Sequence, residues 1–169
     1  MAERVAGNHC GMTLRGGYAL EPGGSLERLD MGGGSELALK VTGEQSNGVV
    51  TVLEGVAVWG GPPLHYHESE DEVVVVLDGE LQYQVGDERG SAGAGGVLWF
   101  PRAVPHAVAN LAGSPCRFLT VVTPSWIEDL FRAQRDYIAS LSPGTSPDPA
   151  ALAGLPGAGS RPIVGPPLS

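Results

Sequence analysis

The chain has 169 residues, room for one domain or one domain with tails. Its formal net charge is −9 with only 17% charged residues, which argues against nucleic acid or an anionic membrane surface as a partner, since both need a basic patch. With 42% hydrophobic residues the chain can bury a core, and 26 Gly and 14 Pro point to an all-β protein with many turns. Two cysteines cannot supply a disulfide framework, and Met1-Ala2-Glu3-Arg4 opens no apolar signal region. The longest aliphatic run, Val73 to Leu77, is far too short to span a bilayer. The expectation is a soluble, reduced, cytoplasmic protein.

Three zones follow in chain order. Residues 1–34 form a Gly-rich arm without a clear period, marked by Gly23-Gly24 and Gly32-Gly33-Gly34. Within it, His9 and Cys10 are expected to lie on disordered chain rather than to form an accessory metal site. Residues 35–141 carry nearly all the β-branched and aromatic side chains. Short strands are predicted there over 37–41, 49–54, 64–67, 72–77, 81–85, 97–100, 107–110 and 117–122, separated by turns such as Asn47-Gly48, Asp78-Gly79 and Gly86-Asp87. That spacing is the pattern of a sandwich or small barrel.

One helix is predicted after Thr123-Pro124, opened by a capping box of Ser125 and Glu128. Trp126, Ile127, Leu130, Phe131, Ile138 and Leu141 fall near one face, to pack on the barrel exterior or a second subunit. Residues 142–169 are dominated by Pro, Gly, Ala and Ser and read as a mostly disordered tail, or one draped over the fold or a partner chain.

The chemistry concentrates on histidines. His65 and His67 are separated by one residue, so on a strand both imidazoles point to the same side. Glu72 opens the next apolar strand, and His106 follows Pro101 and Pro105. Three imidazoles and a carboxylate leave an octahedral metal one or two open positions, as suits Fe, Mn, Ni, Co or Zn in a catalytic site. Glu68, Glu70 and Asp71 read as a solvated acidic turn, with Asp71 a substitute ligand only if that turn is one residue tighter. Val74, Val76, Tyr83 and Trp99 lie on apolar strand faces, where they could line a pocket or simply fill the core. Asn110 fits a turn-stabilising role, Arg102 an exposed turn, and Cys116 a small buried residue.

The run from His65 through Gly79, with four residues between His67 and Glu72, resembles the first motif of the cupin superfamily, G-x5-H-x-H-x3,4-E-x6-G. Its leading Gly is Gly60 or Gly61, one or two places nearer the histidine than the pattern asks. Gly95, Pro101, His106 and Asn110 resemble the second motif, G-x5-P-x-G-x2-H-x3-N, with Ala103 in place of its central Gly. The resemblance covers about residues 35–125. It implies an all-β fold, a cupin-type double-stranded β-helix or jelly-roll barrel with one C-terminal helix. It also implies one divalent transition metal on His65, His67, Glu72 and His106. Residues 39–45, 61–65 and 121–124 resemble the small single-domain quercetin-dioxygenase-like cupins. That resemblance implies a metal-dependent dioxygenase acting on a phenolic or enolic small molecule, with Glu72 as base. Alternatives are an oxygen-independent isomerase or cyclase in secondary metabolism, or a binding module without catalysis. Strand edges in need of cover, the arm and the apolar helix suggest a homodimer.

Overall fold

The strand signals become two facing antiparallel sheets in the computed structural model, which describes residues 3–5, 16–142 and 144–169. His9 and Cys10 lie outside the described residues. The elements run β1 (Glu3–Val5), β2 (Tyr18–Leu20), β3 (Glu27–Asp30), β4 (Glu36–Val41), α1 (Gly43–Ser46), β5 (Thr51–Ala57), β6 (Pro63–His65) and β7 (Asp71–Asp78). They continue with β8 (Glu80–Val85), β9 (Glu88–Gly93), β10 (Val97–Phe100), β11 (His106–Ala109), β12 (Cys116–Thr123), α2 (Ile127–Ser140), α3 (Pro149–Ala153), a 3-10 turn (Ala158–Ser160) and β13 (Ile163–Pro167). One sheet has six strands in the order β10-β7-β12-β5-β4-β3, and the other five in the order β13-β6-β11-β8-β9. β1 and β2 form a separate parallel pair. This is the all-β, cupin-type double-stranded β-helix expected above. Among the described residues no helix is long and apolar enough to cross a membrane.

Register decides which residues face inward. Glu72, Val74 and Val76 lie opposite Val122, Thr120 and Phe118, and Glu72 and Val74 lie opposite Phe100 and Leu98. By the period of two, these side chains share the face turned to the second sheet. Val74, Val76, Leu81, Leu98, Phe100 and Cys116 form the main buried cluster. Leu29, Leu39 and Leu53 form a second one, and Phe118 packs against both.

Helix α2 closes that second cluster with Phe131, so it covers the end of the inward face rather than the barrel exterior. Its start differs from the expected capping box. Trp126 is the N-cap, with φ 88° and 51% of its surface exposed, and Ser125 makes no cap hydrogen bond. The buried Glu128 carboxylate instead accepts from Gly43 N at 2.6 Å, from Trp126 N at 3.0 Å and from the Thr51 hydroxyl. One buried acid therefore ties the helix start to α1 and β5.

Both boundaries of the barrel zone need correction. β3, inside the expected arm, pairs with β4 as the edge of the six-stranded sheet, because Leu29 has a core position to fill. The expected disordered tail carries α3 and β13, and β13 lies antiparallel to β6 with Ile163 opposite His65. Its stability comes from main-chain pairing: Tyr66 N donates to Pro162 O at 3.2 Å and Glu68 N to Ser160 O at 3.0 Å. Apolar content does not report such pairing.

Candidate metal centre

His65 sits on β6, His67 just after it, Glu72 on β7 and His106 at the start of β11. His106 lies directly opposite His65 in register, so one pair of neighbouring strands supplies two of the rings. Ring centroids are 5.2 Å apart for His65 and His67, 4.6 Å for His65 and His106, and 4.9 Å for His67 and His106. Each ring offers a nitrogen, and the three atoms lie within 4.8 Å of one another. Glu72 Oε2 is 3.7 Å from the Nε2 of both His67 and His106. The four side chains named from sequence therefore converge on one point.

Main-chain carbonyls set the tautomers. His65 Nδ1 donates to Pro63 O at 2.8 Å, and His106 Nδ1 to Val104 O at 2.9 Å. Each Nε2 is then left with a lone pair aimed at the shared point, the arrangement that orients a metal-ligating histidine. His106 Nε2 is buried with no hydrogen-bond partner. A buried nitrogen without a partner costs free energy unless something binds it. Burial, aided by the nearby His106, lowers the His65 pKa, and burial takes His67 down to about 3, so these two rings are neutral at neutral pH. Burial pushes the Glu72 carboxyl up, but His106, His67 and His65 outweigh it and hold the group below the usual carboxylate range. Three imidazoles, two of them (His65 and His106) turned by main-chain carbonyls, and an anionic carboxylate form a donor set that fits a divalent transition ion.

The walls differ in part from the expectation. Val74 and Val76 are buried in the cluster beneath Glu72, and Tyr83 packs against the same cluster. Trp99 does not line the interior: it is 52% exposed on the outer face of β10. Its neighbour Phe100 faces in, 1% exposed, and stacks on His106 with centroids 4.6 Å apart and planes 8° from parallel. Val97 to Phe100 is apolar throughout, so no alternation in sequence distinguishes the two parities. The register of Phe100 with Glu72 does.

Two expectations about the turn are also revised. Glu70 is not solvated: it is 6% exposed and pairs with Arg161, itself 8% exposed. Arg161 is the only basic residue in 142–169, and about ninety positions separate it from Glu70, too far for local sequence to link them. Asp71 is not a ligand. Both its oxygens are taken by Arg102, at 3.1 Å from Nε and 2.6 Å from Nη2, and this hydrogen bonding holds its pKa at about 2. Asn110 has the turn role expected of it. Its amide nitrogen donates to Ala57 O at 2.7 Å, Val58 O at 3.2 Å and Ser114 O at 2.7 Å, and its oxygen accepts from Ala112 N at 3.0 Å.

The glycine positions of the motifs have separate causes. A Cβ on Gly61 would sit 1.9 Å from Val108 O, so β11 can approach only a glycine there. Ala103 keeps the left-handed backbone of the glycine it replaces, with φ 62°, and its N–H donates to His67 O at 2.7 Å. The turn before His106 is thus preserved at the cost of strain. Ala103→Gly should stabilise the protein by about 0.5–1 kcal/mol, the relief of left-handed strain less the entropy of a freer unfolded chain. Urea unfolding would show this as a raised midpoint at unchanged slope, and a lowered midpoint would refute the strain.

Residues 52–122 match the family model described as Cupin domain. Among solved structures, an RmlC-like cupin from Shewanella frigidimarina is similar over 60% of this chain and 86% of its own, at 20% identity and TM-score 0.51. KdgF from Halomonas sp. is similar over 60% of this chain and 89% of its own, at 14% identity and TM-score 0.53. At these identities the likeness is one of fold. No curated protein matches the chain.

Proposed function

We propose, on the premise that residues 52–122 form a domain of the cupin superfamily, that this protein is a metal-dependent enzyme, a non-haem dioxygenase acting on a phenolic or enolic small molecule. The observation that carries the proposal is the buried convergence of three imidazole nitrogens within 4.8 Å, with the Glu72 carboxylate 3.7 Å from two of them. His65, His67, His106 and Glu72 would hold one divalent ion, of Fe, Mn, Ni, Co or Zn. The ion supplies Lewis acidity, which favours an enol or phenol bound as its anion, and a redox-active one also opens chemistry with dioxygen.

The chain's own groups do the rest. Glu72, held in its anionic form, takes the hydroxyl proton of the substrate on Oε2. The carbonyls of Pro63 and Val104 keep the His65 and His106 rings from turning. Phe100 shields one face of His106, while Val74, Val76 and Tyr83 offer an apolar wall that suits a planar substrate and excludes water.

The test is oxygen consumption. Freshly purified protein is analysed for metal, loaded with Fe(II) or Mn(II), and mixed with flavonols and enolic polyketide-like compounds under air. Uptake of dioxygen that stops when Glu72 is replaced by Gln supports the reading. Turnover of those compounds without oxygen uptake would instead favour an isomerase or cyclase. Stoichiometric metal with no turnover of any of them would favour a binding module.

A further inference from the structure

We infer that strand β13 supplies a substrate-selecting wall of the candidate site through Ile163, which contacts the part of a substrate that extends beyond its metal-bound oxygens. The inference rests on the functional reading above and narrows its substrate class to an enol or phenol that carries an aryl or alkyl group past its first ring.

The placement follows from register. Strands β13, β6 and β11 are neighbours in the five-stranded sheet, and Ile163, His65 and His106 lie directly opposite one another across them. Residues paired in this way turn their side chains to one face of the sheet. Ile163 therefore shares a face with two of the candidate ligands. Tyr66 N donates to Pro162 O, one position beyond the pair of Ile163 and His65, which makes that pair a non-hydrogen-bonded one. Such pairs bring their side chains closest, with Cβ atoms about 5 Å apart.

Order along the row decides what can reach Ile163. Strand β6 lies between β13 and β11, so the His65 ring stands between Ile163 and the point where the ligands converge. A single ring held at that point by its own oxygens stops short of Ile163. A second ring, or a chain laid over His65, meets it.

The position is both open and fixed. Val74 and Val76, also turned inward, are each 1% exposed, whereas Ile163 is 45% exposed. Uncovered aliphatic surface beside a candidate ligand favours an apolar group that covers it. On one side of Ile163 the buried Arg161 pairs with Glu70, and Glu68 N donates to Ser160 O at 3.0 Å. On the other side a Cβ on Gly165 would come 3.1 Å from Leu64 Cδ2, so the segment lies tight against β6. A wall held at both ends selects by shape, where a loose one would yield to any ligand. Val164 turns to the opposite face by the strand period and is 50% exposed, which makes it the control.

The test is a pair of probes with one head group. Maltol and 3-hydroxyflavone share a hydroxypyranone, and only the second adds a fused ring and a pendant phenyl. Both are titrated calorimetrically, under nitrogen, into the full chain loaded with Zn(II). Wild type should bind 3-hydroxyflavone more tightly than maltol. Ile163→Ala should weaken 3-hydroxyflavone by roughly 10-fold and leave maltol unchanged, as expected when methyl groups are lost from an apolar wall. Ile163→Leu should restore the wild-type affinity, and Val164→Ala should change neither ligand. Maltol binding with no gain for 3-hydroxyflavone overturns the inference alone. So does an Ile163→Ala protein that loses both ligands equally or neither. Loaded wild type that binds neither probe overturns the functional reading, and this inference with it.

Discussion

His67→Ala abolishes tight metal binding and the stabilisation that accompanies it. His67 is 1% exposed and faces Glu72 across 3.7 Å, so no neighbouring side chain can take its place at the shared point. A ligand that binds only the folded state stabilises it by about 4 kcal/mol at a thousand times its dissociation constant. Wild-type protein titrated with Mn(II), Co(II), Ni(II) or Zn(II) should therefore melt well above the chelator-treated sample. The variant should melt at one temperature with and without metal. A second arm of the experiment uses acid. Burial lowers the His67 pKa from 6.5 to about 3, so at pH 5 this ring still has a free lone pair to offer a metal. The sign for stability follows from the same shift. Between pH 6.5 and about 3 the unfolded chain takes up a proton at this residue that the folded chain refuses, so the metal-free protein loses stability as the pH falls through that window. Full metal occupancy in the His67→Ala protein would sink the site assignment.

Arg161→Met should cost about 3–5 kcal/mol, the usual penalty for leaving one partner of a buried ion pair alone. The carboxylate left behind is that of Glu70, 6% exposed, with Oε2 already lacking a hydrogen-bond partner. Methionine keeps most of the volume, so the loss reports charge rather than a cavity. The double variant Arg161→Met with Glu70→Gln should recover most of that loss, and guanidinium unfolding of the two singles and the double measures the coupling directly. Additive losses would mean that the two residues act independently, against the contact seen here.

Much of the barrel and nearly all of the candidate centre are legible in the sequence. Strands β4, β5, β6, β7, β8, β10, β11 and β12 fall on the eight apolar runs, because each fills one side of a core. His65, His67, Glu72 and His106 come together as the strand period and the motif spacing require. What escapes detection lacks a hydrophobic signal. β9 reads Glu-Arg-Gly-Ser-Ala-Gly and exists through its register with β8. β13 contains two prolines and exists through its pairing with β6. The inward turn of Phe100 in place of Trp99 escapes for the opposite reason, since four apolar residues in succession carry no alternation. The burial of Glu70 depends on a guanidinium supplied from far along the chain.

Strand β6 is three residues long, and both of its neighbours, β11 and β13, follow it in the chain. As the protein emerges from the ribosome, His65 waits some forty residues for its first flank and roughly a hundred for its second. β7 can pair meanwhile with β10, which follows it by about twenty residues and precedes β11. The candidate metal corner is thus among the last parts of the barrel to set, and an ion arriving during synthesis would meet Glu72 on a paired strand before it met an oriented His65.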